Sequence, residues 1–294
     1  MALLLLGAEG QVGREIASLA AARGLPLTAL ARRALDITDR EAVRQAVRES
    51  FTAAINCAAY TAVDRAESEE SRALAVNRDG AGNLAAACAA AGVPLIHLST
   101  DYVFDGRKGS PYREDDPVAP LNVYGRSKLA GEEAVRAACP AHVILRTSWV
   151  FGAEGVNFVK TMLRLGGERE ELGIVADQFG CPTPAAALAG RVLAVAETLA
   201  PQSYGTFHCA GAERTSWFAF AEAIFEGWQA LTDRPAPRLK AIATADYPTA
   251  AARPADSTLD SSRFQATFAT GPIDWRAGLD DVLRRLAARQ GGKP

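Results

Sequence analysis

Tyr124 and Lys128 stand four residues apart in the run Tyr124-Gly125-Arg126-Ser127-Lys128. On a helix that spacing sets a phenol and an ammonium on one face, a single turn apart. A cation held there favours phenolate and lowers a pKa that is about 10 in water. Tyr124 then exchanges a proton with a carbonyl or alcohol near neutral pH. Upstream, Ser99-Thr100-Asp101-Tyr102 follows an apolar run. The carboxyl end of a strand is where an open α/β sheet presents its chemistry, so the Thr100 hydroxyl is placed to hold a substrate oxygen beside Tyr124. Alone, Thr100 reads equally well as a capped strand end, and most Tyr-x-x-x-Lys pairs are surface chemistry. Position after a fourth strand makes this pair specific, and Lys128 is one of only five lysines among 32 basic residues.

The elements that must position this pair begin with a glycine loop. Gly7-Ala8-Glu9-Gly10-Gln11-Val12-Gly13 follows the apolar run 3–6 and opens a helical pattern over 11–22. Glycine permits a tight turn and close approach to a pyrophosphate, which free N–H groups and the positive helix end then stabilise. The strand-turn-helix frame makes this a dinucleotide site. The run 27–30 leads into Ala31-Arg32-Arg33, where an acidic residue would hold an adenosine ribose. Adjacent guanidiniums at Arg32 and Arg33 suit a 2′-phosphate, favouring NADPH over NADH; the other reading is a solvated turn in an arginine-rich chain. Asp36 and Ile37 follow where the adenine belongs.

Short apolar runs at 53–58, 95–98 and 143–145 alternate with helical patterns, the signature of a parallel sheet covered on both faces. Thr38 and Glu41 form a capping box for a helix reaching about Glu49, and 72–91 reads as one alanine-rich helix. The expected class is α/β: a doubly wound parallel (Rossmann) sheet with a smaller mixed α/β substrate-binding lobe. Residues 1–150 form the dinucleotide-binding domain. Residues 151–294 form mainly the substrate lobe, over the carboxyl ends of the strands, with some segments returning to the first domain. Helices are expected at 158–165, 184–199, 217–229 and 275–289, strands at 173–175 and 205–209, and ordered loop with an edge strand over 234–254.

The 294 residues are 49% apolar and 22% charged, ordinary for a globular enzyme and too apolar for a disordered chain. Bases and acids nearly cancel, 32 against 34, so no broad field attracts nucleic acid or an anionic membrane. No stretch approaches the ~20 apolar residues of a membrane span, and the opening run 1–6 is a strand rather than a leader. Cys57, Cys88, Cys139, Cys181 and Cys209 form no zinc-like pattern and read as reduced thiols of a cytoplasmic protein. His97, His142 and His208 are too dispersed for a metal site.

The glycine motif, the stretches 56–64 (NCAAYTAVD), 99–104 (STDYVF), 120–125 (PLNVYG), 146–150 (RTSWV) and 177–180 (DQFG), with Arg253-Pro254 and Ser257-Thr258-Leu259-Asp260, resemble the extended short-chain dehydrogenases. Among these the match is to the dTDP-4-dehydrorhamnose reductase family and runs through nearly the whole chain. The resemblance implies hydride delivery from NADPH to C4 of dTDP-4-dehydro-β-L-rhamnose, giving dTDP-β-L-rhamnose. Tyr124 would protonate the C4 alkoxide, Lys128 would hold the nicotinamide ribose and tune Tyr124, and Thr100 would orient the oxygen. It implies cofactor contacts at Gly10, Gln11, Val12, Asp36, Ile37, Ala58, Ala59, Tyr60 and Thr61. For the sugar it points to Thr100, Asp101, Tyr102 and Trp149, the last reading otherwise as a core aromatic. Related 4,6-dehydratases place Asp-Glu after the threonine, and Tyr102 at the glutamate position favours simple reduction. Some relatives dimerise around Mg²⁺ held by glutamates; Glu15 matches one such position, but alanine fills 185–187. Glu15 is therefore read as a solvated helix residue, no metal is expected, and the chain as a monomer or homodimer. The alternatives are a non-catalytic NADP-binding regulatory subunit, as in a methionine adenosyltransferase partner similar to this family, or a reductase or epimerase for another nucleotide deoxysugar.

Overall fold

The computed structural model describes residues 2–289; Met1 and residues 290–294, with Lys293 among them, lie outside the described residues. The first half runs β1 (Leu3–Leu6), α1 (Gln11–Ala22), β2 (Leu27–Leu30), α2 (Arg40–Ala46), β3 (Ala53–Asn56), α3 (Val63–Ala66), α4 (Glu70–Leu74), α5 (Ala81–Ala90), β4 (Leu95–Thr100), α6 (Val123–Ala138) and β5 (His142–Thr147). The second half adds β6 (Val150–Phe151), α7 (Phe158–Glu168), β7 (Glu171–Val175), β8 (Phe179–Gly180), β9 (Thr183–Pro184), α8 (Ala185–Thr198) and β10 (Gly205–His208). It ends with β11 (Thr215–Ser216), α9 (Trp217–Thr232), β12 (Arg238–Ile242), α10 (Ser262–Thr267) and α11 (Trp275–Arg289).

Six strands form one parallel sheet in the order β10-β5-β4-β3-β1-β2. Four consecutive leucines in β1 succeed because both faces of the sheet are covered. Successive side chains alternate sides: Leu3 and Leu5 pack with Ile16 of α1 and Leu188 and Val192 of α8, while Leu4 and Leu6 pack with Val43, Leu84 and Ile144. Each fully buried leucine contributes roughly 1.5–3 kcal/mol, so β1 anchors both layers. From β1 the chain moves outward to β2, then crosses back to β3 on the other side. That reversal opens a crevice at the carboxyl ends of β1 and β3, where α/β sheets bind ligands. From the second half, β10 adds a sixth strand beside β5. A separate apolar cluster joins α9 and α11 through Phe220, Ile224, Trp275 and Leu283, and β12 pairs with β7 inside the segment expected to hold an edge strand.

Two local expectations are corrected. The cap of α2 is Asp39, whose carboxylate accepts from the Glu41 and Ala42 amides, because the helix starts at Arg40, one residue later than a Thr38 cap requires; the Thr38 hydroxyl donates to Asp36. That helix ends at Ala46, where Val47 turns extended. The single helix expected over 72–91 is divided by a π-helical segment, Ala75–Gly80. Its wider turn carries Asn77, buried, with its amide bonded to both backbone groups of Tyr60 and to the Ser127 hydroxyl. Such insertions recur at functional sites.

Candidate active site

Gly7 has φ +79°, a conformation that glycine adopts without strain, and an added Cβ would lie 2.5 Å from the Ala58 amide nitrogen. At Gly13 a Cβ would sit 2.3 Å from the Gly7 carbonyl oxygen. The loop is thus pressed against α1 and the end of β3. Gly10 caps α1 with no side chain of its own, so the positive helix end faces outward. Gly7 and Gly10 line a cavity of about 220 Å³ with Arg32, Asp36, Ile37, Ala58, Ala59 and Tyr60. A bare helix end beside two glycines whose Cβ atoms the site has no room for fits a dinucleotide pyrophosphate. Val12 and Gly13 are buried behind the loop. Gln11 accepts a 2.8 Å hydrogen bond from Asn157, which ties this helix start to the cap of α7.

At the far end of the cavity, Arg32 pairs with Asp36 at 3.2 Å and Arg33 with Glu9 at 3.0 Å, all exposed or half-exposed. Asp36 also accepts from the Thr38 amide and hydroxyl, and its carboxyl lies below the usual range, chiefly through that amide bond. Tyr60 is held by Asn77, and its hydroxyl donates to Glu69. Thr61 is exposed and does not line the cavity.

Asn122 caps α6, accepting from the Gly125 amide at 2.7 Å while donating to the Ala252 carbonyl. This fixes Tyr124 in the first turn and Lys128 in the second, beside the end of β4. Lys128 is 2% exposed and its Nζ donates to the Leu98 carbonyl at 2.6 Å. Burial lowers the ammonium to about 8 against the opposing charge of Glu132. The expected depression of Tyr124 by Lys128 is not found. Burial pushes the phenol up to about 12, the neighbouring Thr100 side chain opposing and the Asp101 charge adding. Burial of the phenol is the dominant cause, and the ammonium is engaged by the Leu98 carbonyl of β4.

Thr100 and Asp101 are buried at 5% and 2%. Thr100 Oγ1 donates to Asp101 Oδ1 at 3.0 Å and accepts from the Tyr102 amide at 3.2 Å, and Ser257 donates to Asp101 Oδ2 at 2.5 Å. Both Asp101 oxygens are therefore engaged within the protein. The Tyr102 ring meets the Tyr124 ring edge-on, centroids 5.9 Å apart. Trp149 adopts φ +46°, unusual for a bulky residue, and stacks on Trp217 at 3.4 Å. Strain of this kind clusters at ligand clamps. Trp217 also lines a second, more apolar cleft of about 290 Å³, together with Phe158, Val175, Gln178, Tyr247 and Arg253.

Several supporting pairings join residues far apart in the sequence. Glu132, fully buried, accepts a bidentate pair from Arg146 at 2.9 and 2.8 Å, a hydrogen bond from Ser99 at 2.6 Å and another from Arg136. Arg253 clamps Asp64 at 2.9 and 2.7 Å, joining the 251–260 segment to α3. Glu15, expected to be solvated, is instead buried and paired with Arg285 at 2.9 Å, an arginine that reaches it from α11. Among the described residues no three His, Cys, Asp or Glu side chains gather as a metal would require, and no helix is long and apolar enough to cross a membrane.

A family model described as RmlD substrate binding domain matches residues 1–288. A dTDP-4-dehydrorhamnose reductase of Sinorhizobium fredii (strain NBRC 101917 / NGR234) is 46% identical over 97% of this chain and 96% of its own length. The chain belongs to the dTDP-4-dehydrorhamnose reductase family. Two crystal structures of dTDP-4-dehydrorhamnose reductases share its fold. That from Clostridium acetobutylicum ATCC 824 has a TM-score of 0.90 at 37% identity, covering 97% of this chain and 99% of the other. That from Bacillus anthracis str. Ames, in complex with NADP, has a TM-score of 0.90 at 36% identity, covering 97% and 100%. Against this reductase fold, the glycine cradle and the Thr100-Tyr124-Lys128 cluster occupy adjoining ends of β1, β3 and β4.

Proposed function

We propose that the protein reduces the C4 keto group of dTDP-4-dehydro-β-L-rhamnose with NADPH, giving dTDP-β-L-rhamnose, the last step of dTDP-rhamnose formation. The observation that carries this reading is the meeting of Tyr124 with Thr100 at the end of β4, one helical turn from Lys128 and beside the glycine cradle. Family membership and the names of the relatives support the substrate.

Gly7, Gly10, Gln11, Val12 and Gly13 receive the pyrophosphate, and Arg32 and Arg33 the 2′-phosphate, which makes NADPH the preferred form. Asp36, Ile37, Ala58, Ala59 and Tyr60 border the adenosine and ribose. When bound, the nicotinamide supplies the hydride. Tyr124, protonated throughout the physiological range, gives its phenolic proton to the developing C4 alkoxide. Thr100 steadies that oxygen by a hydrogen bond, and Lys128 holds the nicotinamide ribose. Asp101, Tyr102 and Trp149 border the sugar. Residues 1–150 hold the cofactor and 151–294 mainly the sugar nucleotide, in a cytoplasmic monomer or homodimer. The experiment is loss of NADPH absorbance upon addition of the 4-keto sugar nucleotide; a purified, folded protein that oxidises no NADPH refutes the reading.

A further inference from the structure

Asp101 is a carboxyl buried at 2% exposure that forms no ion pair among the described residues. Its surroundings are polar but carry few charges. Thr100 and Ser257 donate to its two oxygens. Tyr124 and Tyr102 are close enough to feel its charge, as is the Cys181 thiol. The charged groups nearest this cluster, Arg253 and Asp64, pair with each other, and Arg214 pairs with Asp256. A buried carboxylate lacking a cation favours its neutral form, and burial pushes this one up to about 7 against the Ser257 and Thr100 hydrogen bonds.

The hydrogen count at Thr100 gives that neutral form a consequence. A hydroxyl has one hydrogen and two acceptor sites. With Asp101 ionised, the Thr100 hydrogen is spent on Oδ1, and its oxygen accepts from the Tyr102 amide. Nothing remains to donate to a substrate oxygen. With Asp101 protonated on Oδ1, the carboxyl can donate to Thr100 and release its hydrogen, while Oδ2 keeps the Ser257 bond.

We propose that Asp101 and Ser257 are positioning residues: the neutral carboxyl, held by Ser257, turns the Thr100 hydroxyl into a donor for the substrate carbonyl oxygen. The inference rests on the reading of Thr100 and Tyr124 as the groups that handle that oxygen. Ser257 arrives 156 residues later in the chain, on the segment whose Asp256 bridges to Phe179. The late segment thereby sets the proton state of the early site.

The test is the pH profile of kcat and KM for NADPH-dependent reduction of the 4-keto sugar nucleotide by wild type, D101N and S257A. The wild-type kcat is expected to fall by up to tenfold per pH unit above the Asp101 ionisation. In D101N, whose amide donates to Thr100 at every pH, that limb disappears. In S257A it moves to higher pH, because the lost hydrogen bond favoured the charged carboxylate. An unchanged limb in D101N, a downward move in S257A, or a D101N protein that is folded and binds NADPH but turns over at no pH overturns the inference. Tyr124→Phe serves as the separate control: full turnover in that variant sinks the reading of the site itself, whatever Asp101 does.

Discussion

The Lys128 ammonium donates to the Leu98 carbonyl at 2.6 Å, although the Tyr124 phenol lies one helical turn away. It is thus a buried cation fixed at the end of β4, and its ordinary value of 10.5 drops to about 8 through burial. The unfolded chain therefore binds a proton that the folded chain resists between those two values, so stability rises with pH across that window. Below it the buried ammonium costs folding energy.

Lys128→Met should separate function from stability. Turnover is expected to fall by roughly 10²-fold or more, as for loss of a group that positions a reactant, here through the nicotinamide ribose. Stability at pH 7 should rise by about 1–3 kcal/mol, with the gain shrinking above pH 8. Urea unfolding at several pH values, read beside kcat, checks both halves; a loss of stability at pH 7 contradicts the account.

Tyr124→Phe removes the phenolic proton and leaves the glycine cradle untouched. The expected loss in kcat is roughly 10²–10⁴-fold, with NADPH affinity nearly unchanged in a fluorescence titration. Since the phenol is pushed up to about 12, reduction should show no alkaline limb from Tyr124 in the neutral range. A strong loss of NADPH binding would instead give this residue a structural role.

The Arg32 and Arg33 guanidiniums are paired only with exposed or half-exposed acids, Asp36 and Glu9. Removing both should cost little stability, because exposed pairs contribute about 0–1 kcal/mol each. R32A/R33A is expected to raise KM for NADPH by about tenfold or more, as charge-assisted contacts to a phosphate are lost, with little change for NADH. Equal effects on the two cofactors would remove the 2′-phosphate from these arginines.

Glu132 answers to charge in the opposite sense from Lys128. Burial pushes its carboxyl up, but Arg146, Ser99 and Arg136 together hold it below the usual carboxylate value. Its contribution is present above that usual value and is lost as pH falls through the folded one. Glu132→Gln leaves Arg146 buried without its counter-ion and should cost about 3–5 kcal/mol. Thermal unfolding at pH 7 and pH 4 checks this, the variant losing less than wild type on acidification.

Much of the frame is legible in sequence because it depends on local period. The runs 3–6 and 27–30 and the helical pattern 11–22 match β1, β2 and α1, and Tyr124 with Lys128 share a helix as their spacing requires. What escapes is long-range or a competition between neighbours. Thr38 and Asp39 are both good capping types, and the one-residue difference in helix start that separates them is not carried by the periodicity. The π segment exists where Asn77 meets Tyr60 and Ser127, the latter 50 residues away. Asp101 and Ser257, or Asp64 and Arg253, are brought together by the return of the late segment, which no periodicity announces. Tyr124 shows the same limit in its electrostatics: the i,i+4 spacing is right, yet burial, which spacing does not reveal, raises the phenol.

Incubating the purified protein with NADPH and dTDP-4-dehydro-β-L-rhamnose, and identifying the product by NMR, tests the proposed reduction. Equimolar NADP⁺ and dTDP-β-L-rhamnose are expected. Unreacted keto sugar with NADPH intact, or a product reduced to the opposite configuration at C4, contradicts it.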